Sequence, residues 1–507
     1  TNPVVAAVTN ATGVFNNLNG GDYSVTYQDG SGCVSSGTSV TITPLATKTW
    51  TGAVWSPVGA PTINDYVEFA GSYSGGSVNA CSCLVNAAVT ITSGTLNVVN
   101  GLTVSGTGSL TIDGGYLVQA NNTNSNIGNI TFKLSHAVTA YEYVYWSSPV
   151  SGTSVASTFL GYNKSYSYFN NGWVAPNTSA GRGFIVRYAS ASSQNPSFFG
   201  APNNGTITVA GLPSGDNLIG NPYPSAIYAS SFIAQNMGVM GGAIYIWDPG
   251  TGRTISMDGT KYEYKGSYSV ANATGAVGTG ETIAPGVGFF VAGSGFVFNN
   301  DMRYAPPVGN GGNFSKQTNT KKTAAIDKNR VWLNLTKDSA QLSQLLLGYV
   351  TGATNDFDKL YDATTFGGTD FDFYSIDNSK QYTIQGRALP YDTEEQIPLG
   401  YKTTLDGVFE DKTTSTIHDL TTGSYSFTTA KGEFKDRFVL RYTTTAKLGT
   451  DDVATKGKGV IVSVKNRQIK INSFDQTITA VKLYDLKGSL LYEKNKLNNT
   501  EFIIDHF

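Results

Sequence analysis

The sequence predicts an all-β, multidomain chain, and three observations carry that prediction. Charged residues are only 14% of the 507, against about a quarter in an ordinary globular chain, while Thr, Ser, Asn and Tyr fill the deficit and Gly reaches 58. Such a composition suits strands with hydroxyl-rich exposed faces and suits helices poorly. Short apolar runs alternate with polar positions along most of the length, bounded by Gly, Asn, Asp and Pro, which is the period-two pattern of half-buried strands. Between residues 89 and 117 the runs shrink to apolar-x-apolar triplets led by Val89, Leu96, Leu102, Leu110 and Leu117, spaced 7, 6, 8 and 7 apart. Triplets joined by small-residue corners point two side chains each into a narrow core, so they predict a short parallel β-solenoid with about three triplets per coil.

The elements follow in order. Residues 1–46 read as strand, turn, strand, through Gly21-Asp22-Tyr23-Ser24-Val25, Asp29-Gly30 with Gly32-Cys33, and Ser39-Val40-Thr41-Ile42. They resemble part of the immunoglobulin-like repeats strung along giant flavobacterial surface adhesins. Residues 47–135 open on Thr49-Trp50-Thr51-Gly52 and continue through Ala60-Pro61 into the triplets; this lead-in resembles one found in many cargoes of the type IX secretion system of Bacteroidota. Leu96, Val98, Leu102, Val104, Leu110 and Ile112 are expected to face inward. Residues 136–308 form an aromatic-rich β-sandwich module whose marked stretches are 141–150, 217–225 and 286–291. In that order these stretches resemble an uncharacterised module of flavobacterial surface proteins. Gly181-Arg182-Gly183-Phe184-Ile185-Val186 and Gly286-Val287-Gly288-Phe289-Phe290-Val291 occupy similar places in its two halves, which suggests an internal duplication. Residues 225–237 are the best helix candidate, with Ser225 at the start, Ile227, Phe232 and Ile233 inside, and Gly238 after the end. Residues 309–329 are a polar linker, and residues 330–446 resume strands as another sandwich module.

Residues 455–507 alternate again, as in Val460/Val462/Val464, Ile469/Ile471 and Val481/Leu483, with turn formers between them, and predict a small antiparallel sandwich. Within it Lys482-Leu483-Tyr484-Asp485-Leu486-Lys487-Gly488, followed by Leu490-Leu491, resembles the core of the immunoglobulin-like C-terminal sorting domains of type IX cargoes. The resemblance implies that Tyr484, Asp485, Leu486, Lys487 and Gly488 belong to the sorting signal. It implies as partners the outer-membrane translocon and the barrel protein that collects cargo from it. It also implies a secreted protein of the outer-membrane cell surface, an adhesin or gliding-motility component. A cargo first crosses the inner membrane, and TNPVVAAVTN lacks the basic and apolar regions of a leader, so residues ahead of Thr1 are expected. The chain departs from the family's pattern at two places: Val408-Phe409-Glu410 runs straight on between Gly407 and Asp411 where the family carries an extra hairpin, and the sorting domain reaches Phe507 without the family's last pair of strands, so either the protein is shortened at these places or further residues are expected there.

Chemistry is sparse. A net charge of −2, with no basic block beyond Lys321-Lys322, argues against electrostatic capture of nucleic acid, and no run of 18 apolar residues is present to span a bilayer as a helix. The three histidines, His136, His418 and His506, fall in different modules, and no phosphate loop, nucleophile elbow or zinc-protease motif occurs. The chain therefore reads as non-enzymatic and without a cofactor, calcium excepted. Glu142, Glu263 and Glu281 lie in the aromatic module, where a glycosidase pair would need no motif, but nothing ranks them above surface residues. Asp356, Asp358 and Asp362, with Asp370 and Asp372 nearby, read either as solvated turn carboxylates or as a Ca²⁺ site. Cys81 and Cys83 read as buried small apolar residues, or one of them pairs with Cys33; C-x-C without a neighbouring His is a weak metal signal. Tyr162, Tyr166, Tyr168, Phe169 and Trp173, like Tyr262, Tyr264 and Tyr268, read as cross-strand packing or as sugar-binding faces. The alternative to a surface adhesin is the accessory C-terminal region of a secreted carbohydrate-active enzyme, or a carbohydrate-binding module whose partners are surface glycans.

Overall fold

In the computed structural model of the chain the triplets wind into a parallel β-solenoid. Asp65–Phe69, Ser82–Val85 and Leu102–Val104 stack in one sheet. Tyr73–Gly75, Ala88–Ile91, Ser109–Asp113 and Ile130–Lys133 form the second, and Val78–Ala80, Gly94–Val98 and Gly115–Gln119 the third. Three triplets make one coil, as the spacing predicts. In-register stacking carries the core: Val67 on Cys83 on Leu102, Phe69 on Val85 on Val104, and Val89 on Leu110 on Ile130. The six positions expected to face inward are all buried, none more than 7% exposed. At the first coil Trp50, Trp55, Phe69 and Tyr73 pack with ring centroids 5.2 to 6.4 Å apart and cover the open end of that core.

The described residues are 21–305, 329–403 and 418–442 of a first unit and 461–505 of a second, less gaps of one to seven residues within them. Residues 309–328 of the predicted linker 309–329, and positions 407–411, lie outside them. All three cysteines are free thiols, which removes the disulfide alternative. Cys83 sits in the solenoid core, where burial pushes its thiol pKa up to about 12. Cys81 is only half-buried and accepts a hydrogen bond from Asn100 Nδ2 at 3.2 Å, and Cys33 is exposed. Gly21–Val25 and Thr38–Ile42 pair antiparallel across a turn in which Asp29 Oδ1 accepts the N–H groups of Ser31 and Cys33, each at 2.9 Å.

The two largest sheets of residues 136–305 are antiparallel. One holds Tyr143–Ser147, Lys164–Phe169, Gly172–Val174 and Gly183–Arg187. The other holds Asp216–Gly220, Met240–Asp248, Ser267–Ala271, Ala276–Val277 and Gly288–Gly293. The solenoid does not end in a gap: Ser197–Gly200 pairs antiparallel with Ile130–Lys133, and one core runs from Val67 through Phe132 to Trp146 and Phe198. Helix Ala229–Asn236 lies inside the predicted 225–237 but starts later. Ala226–Tyr228 pairs as a strand with Thr282–Ile283 and Arg303–Tyr304 instead, so tertiary pairing overrides the local start signal. Among the described residues of this region, Val155–Thr158 is a second short α-helix and Asn300–Met302 a 3-10 turn.

Residues 330–442 form a seven-stranded sheet. Ala340–Tyr349 runs parallel to Lys380–Arg387, whereas Phe371–Asp377, Gln396–Thr403 and Gly432–Arg441 pair antiparallel. This sheet buries Leu346, Ala363 and Ile384 against Ala243, Val270 and Val277 of the preceding region. The second unit is a small antiparallel sandwich of its own. Ile461–Lys465, Gln468–Asn472 and Glu501–Ile504 make one sheet, and Ile478–Tyr484 with Leu490–Asn499 makes the other. Ile469, Ile471, Ile478, Val481 and Ile504 form the core between them.

Candidate functional site

The acidic cluster folds into a turn bonded to itself. Asp358 accepts the N–H of Thr354, Asp362 Oδ2 accepts the N–H of Asp358 at 2.7 Å, and Asp362 Oδ1 accepts the N–H of Gly386 at 2.8 Å. Asp362 is 3% exposed, so both of its oxygens tie the loop to strand Lys380–Arg387. Asp356 stands on the surface, Asp372 accepts the hydroxyl of Thr369, and Asp370 lies outside the described residues. Asp358 and Asp362 are thus engaged by backbone N–H groups of their own loop and of the neighbouring strand. Among the described residues no three His, Cys, Asp or Glu side chains are grouped to hold a metal ion.

Burial raises the Asp362 pKa to about 6, against the pull of its two backbone donors. A carboxyl whose folded pKa lies above its unfolded one makes the folded state the better proton binder. Its contribution to stability is complete below the unfolded pKa and is lost as pH rises through the folded one. Between pH 7 and pH 5 the first unit should therefore gain on the order of 1 kcal/mol from this group. Urea denaturation at the two pH values checks this, and Asp362→Asn should remove the increment; an increment that survives the substitution would assign it elsewhere.

Beside the loop Arg387 pairs with Glu395 and, at 3.8 Å, with Asp377, while the Tyr349 hydroxyl meets Glu395 and Tyr442. A cleft of about 440 Å³ opens next to this network, with Arg330, Tyr349, Thr351 and Tyr361 on its polar side and Met237 and Leu389 on its apolar side. Arg330 Nε donates to the Thr274 carbonyl, and burial lowers its pKa. Such a cleft can receive a small polar guest through a guanidinium and hydroxyls. Among the described residues no Ser, Cys or His lines it.

The Asn221-Pro222-Tyr223-Pro224-Ser225 stretch is buried, and its chemistry is structural. Asn221 Nδ2 donates to the carbonyls of Ser225, Ile283 and Ala284 at 2.8, 3.1 and 3.1 Å, and its Oδ1 accepts the N–H of Tyr223 at 3.0 Å. The Arg303 guanidinium lies 4.7 Å from the centre of the Tyr223 ring. Arg303 Nε donates to Ser225 Oγ at 3.0 Å, Nη1 to Asn204 Oδ1 and Asn300 Oδ1 at 3.0 and 3.1 Å, and Nη2 to the Leu117 carbonyl of the solenoid at 2.7 Å. Leu117 returns its N–H to the Pro224 carbonyl at 2.9 Å. Burial pulls the Arg303 pKa down to about 9, still above neutrality, so a cation held by neutral oxygens fastens solenoid to sandwich. Sequence reasoning missed Arg303, Asn204 and Asn300, because the partners come from five separate stretches and leave no local signal.

The remaining candidates do not converge. His136 is buried, with its pKa lowered to about 4 by that burial; His418 lies 5.4 Å from Tyr425, and His506 is outside the described residues. Glu142 is buried and Glu281 exposed, and the Glu263 side chain is outside the described set. Tyr168 and Trp173 pack edge to face across strands at 5.1 Å, and Trp247 and Tyr268 pack at 5.0 Å, which favours the packing reading. Tyr264 and the Tyr262 side chain fall outside the described residues. Tyr484 ends strand Ile478–Tyr484, opposite Leu490, while Asp485, Leu486, Lys487 and Gly488 lie outside the described residues.

Comparison with known proteins separates the same two parts of the chain. No curated protein and no solved structure matches it. Residues 448–507 match the family model described as "Domain of unknown function (DUF8694)". The model described as "Domain of unknown function (DUF8693)" matches residues 43–442, from the solenoid through the clasp to the seven-stranded sheet, and the chain belongs to that family.

Proposed function

We propose that the chain is a non-enzymatic, secreted protein of the cell surface, exported by a type IX secretion system through its C-terminal sandwich, and that residues 21–442 are the adhesive or gliding-associated scaffold it delivers. The observation that carries this reading is the independence of the tail. Residues 443–507 form a unit with its own core, matched by its own family model, and hold the Tyr484-Asp485-Leu486-Lys487-Gly488 stretch that resembles a sorting signal. An address read by a separate receptor functions best when its fold does not depend on the cargo. The first unit supports the scaffold half of the reading: its marked motif is built into a buried clasp, and its acidic loop is bonded to its own backbone.

The test is export of the whole protein in a type IX-competent bacterium. Wild-type chain should become accessible to protease added to intact cells, and it should stay inside cells that lack the translocon. Gly488→Val should hold the protein in the periplasm, because the sequence Lys487-Gly488 reads as a turn former between two strands, and a β-branched residue resists the positive φ that such turns use. Equal surface exposure with and without the translocon overturns the proposal.

A further inference from the structure

The two sheets of residues 136–305 repeat one plan. Each is preceded by a strand of matched sequence, Ile130-Thr131-Phe132 in one case and Ile207-Thr208-Val209 in the other. The first core strand follows, Tyr143–Ser147 or Asp216–Gly220, and runs into Pro149 or Pro222. A short helix comes next, with Ala156-Ser157-Thr158-Phe159 matching Ala229-Ser230-Ser231-Phe232; prolines, alanines and phenylalanines are each 73 positions apart. Both sheets then place the last core strand, Gly183–Arg187 or Gly288–Gly293, between the first and the second. A final strand returns to pair with the matched strand that opened the plan, Phe198 opposite Phe132 and Phe296 opposite Val209. Even the core rings correspond. Phe159 meets Phe184 and Phe198 at 5.8 and 5.7 Å, and Phe232 meets Phe289 and Phe296 at 5.4 and 6.1 Å.

The contacts between the copies are reciprocal. Ser147 N–H donates to the Gly286 carbonyl at 2.7 Å, and its counterpart Gly220 donates to Gly181, the counterpart of Gly286, at 3.0 Å. The bridge between Trp146 and Val287 likewise has its image in the bridge between Ile219 and Arg182. Residue i of one copy touching j of the other, while i of the other touches j of the first, is the signature of an isologous two-fold interface. Between the facing sheets lie Ile185 and its image Phe290, with Tyr166 imaged by Tyr245. Phe290 crosses to the other copy, 5.2 Å from Tyr168 and 6.2 Å from Trp173. Tyr145 crosses the other way, stacked at 6.1 Å on Trp247, the image of Tyr168.

We infer that residues 130–304 are a fused dimer, two copies of one β-unit docked across a pseudo-two-fold axis, so that the aromatic face of each copy is a docking surface whose partner is another copy of the same unit. Most of the tyrosine and tryptophan cluster is then occupied by self-recognition within the chain, while Tyr245 and Tyr268 also meet Phe366 of the seven-stranded sheet at 4.5 and 4.9 Å. This does not depend on how the protein is exported.

The test exchanges the one difference between the matched strand starts Gly183-Phe184-Ile185-Val186 and Gly288-Phe289-Phe290-Val291. In the full chain, Ile185→Phe overpacks the seam and Phe290→Ile leaves a void, and each should lower the melting temperature by several degrees. The double exchange keeps the total volume of the seam, although Phe290 also meets Phe366 of the seven-stranded sheet at 5.6 Å, so it should recover part of that loss. Ile185→Phe combined with Phe289→Ile, a position on the other face of its strand, should show additive losses instead. A double exchange that costs as much as the sum of its singles overturns the inference, and so do singles that leave the melting temperature unmoved.

Discussion

Arg303→Leu should be among the most damaging single substitutions in the first unit, lowering its stability by on the order of 4 kcal/mol or more in urea denaturation. The reasoning starts from what the leucine would leave behind. Ser225 Oγ, Asn204 Oδ1, Asn300 Oδ1 and the Leu117 carbonyl all receive hydrogen from the guanidinium, and Ser225, Asn300 and Leu117 are buried with it. Asn204 Oδ1 keeps the Nδ2 of Asn300 at 2.8 Å and Asn300 Oδ1 keeps the N–H of Gly205 at 3.2 Å, whereas Ser225 Oγ and the Leu117 carbonyl lose this donor away from water, at about 1–3 kcal/mol each. The cation over the Tyr223 ring is lost as well. Against this stands a real gain, because burying a charge without a carboxylate partner is expensive and leucine removes that expense. The acceptors decide the sign, since leucine satisfies none of them. Arg303→Lys discriminates between charge and geometry. An ammonium keeps the charge but cannot reach serine, two asparagines and a carbonyl from one point. It should therefore fall well below wild type. A lysine variant as stable as wild type would mean that charge alone matters at this position.

Much of this fold is legible in the sequence where the signal is local. Period two fixes strands, and the triplet spacing fixes the solenoid, because the triplets recur every 6 to 8 residues and need no knowledge of distant partners. Direction of pairing is another matter. Ala340–Tyr349 reads like any other strand, yet it runs parallel to Lys380–Arg387 within an otherwise antiparallel sheet, and alternation carries no information on which strand lies beside it. The helix near residue 229 shows the same limit from the other side. Ser225 is a good N-cap by type, but its hydroxyl takes the Arg303 guanidinium and the next residues join a sheet. The acidic loop was visible as a cluster of carboxylates. Its meaning depends on Gly386, 24 residues further on, whose N–H engages Asp362. The clasp is the extreme case, since no two of its principal partners are close enough in sequence to make a motif, apart from Asn300 with Arg303 and the Asn221 to Ser225 turn.

The solenoid yields the second large effect. Val104→Asp should destabilise the first unit by several kcal/mol, while Thr103→Asp beside it changes stability by less than about 1 kcal/mol. Val104 is 7% exposed, stacked on Val85 and Phe69 inside the coil, whereas Thr103 points outward from the same strand. A carboxylate at 104 has no cation in that column and must either ionise in an apolar core or bind a proton at neutral pH, and both alternatives cost several kcal/mol. The damage should not stop at the solenoid. Strand Ile130–Lys133 continues its second sheet and pairs directly with Ser197–Gly200 of the first sandwich copy, and Phe132 and Phe198 belong to one uninterrupted core. Loss of the coils removes the floor on which Trp146 and Phe198 rest. Hydrogen exchange should therefore accelerate in strands Tyr143–Ser147 and Gly183–Arg187 together with the coils, while Gln468–Asn472 in the second unit, which has a core of its own, keeps its protection. Protection that persists across Gly183–Arg187 in the Val104→Asp chain would show that solenoid and sandwich unfold separately despite the core they share.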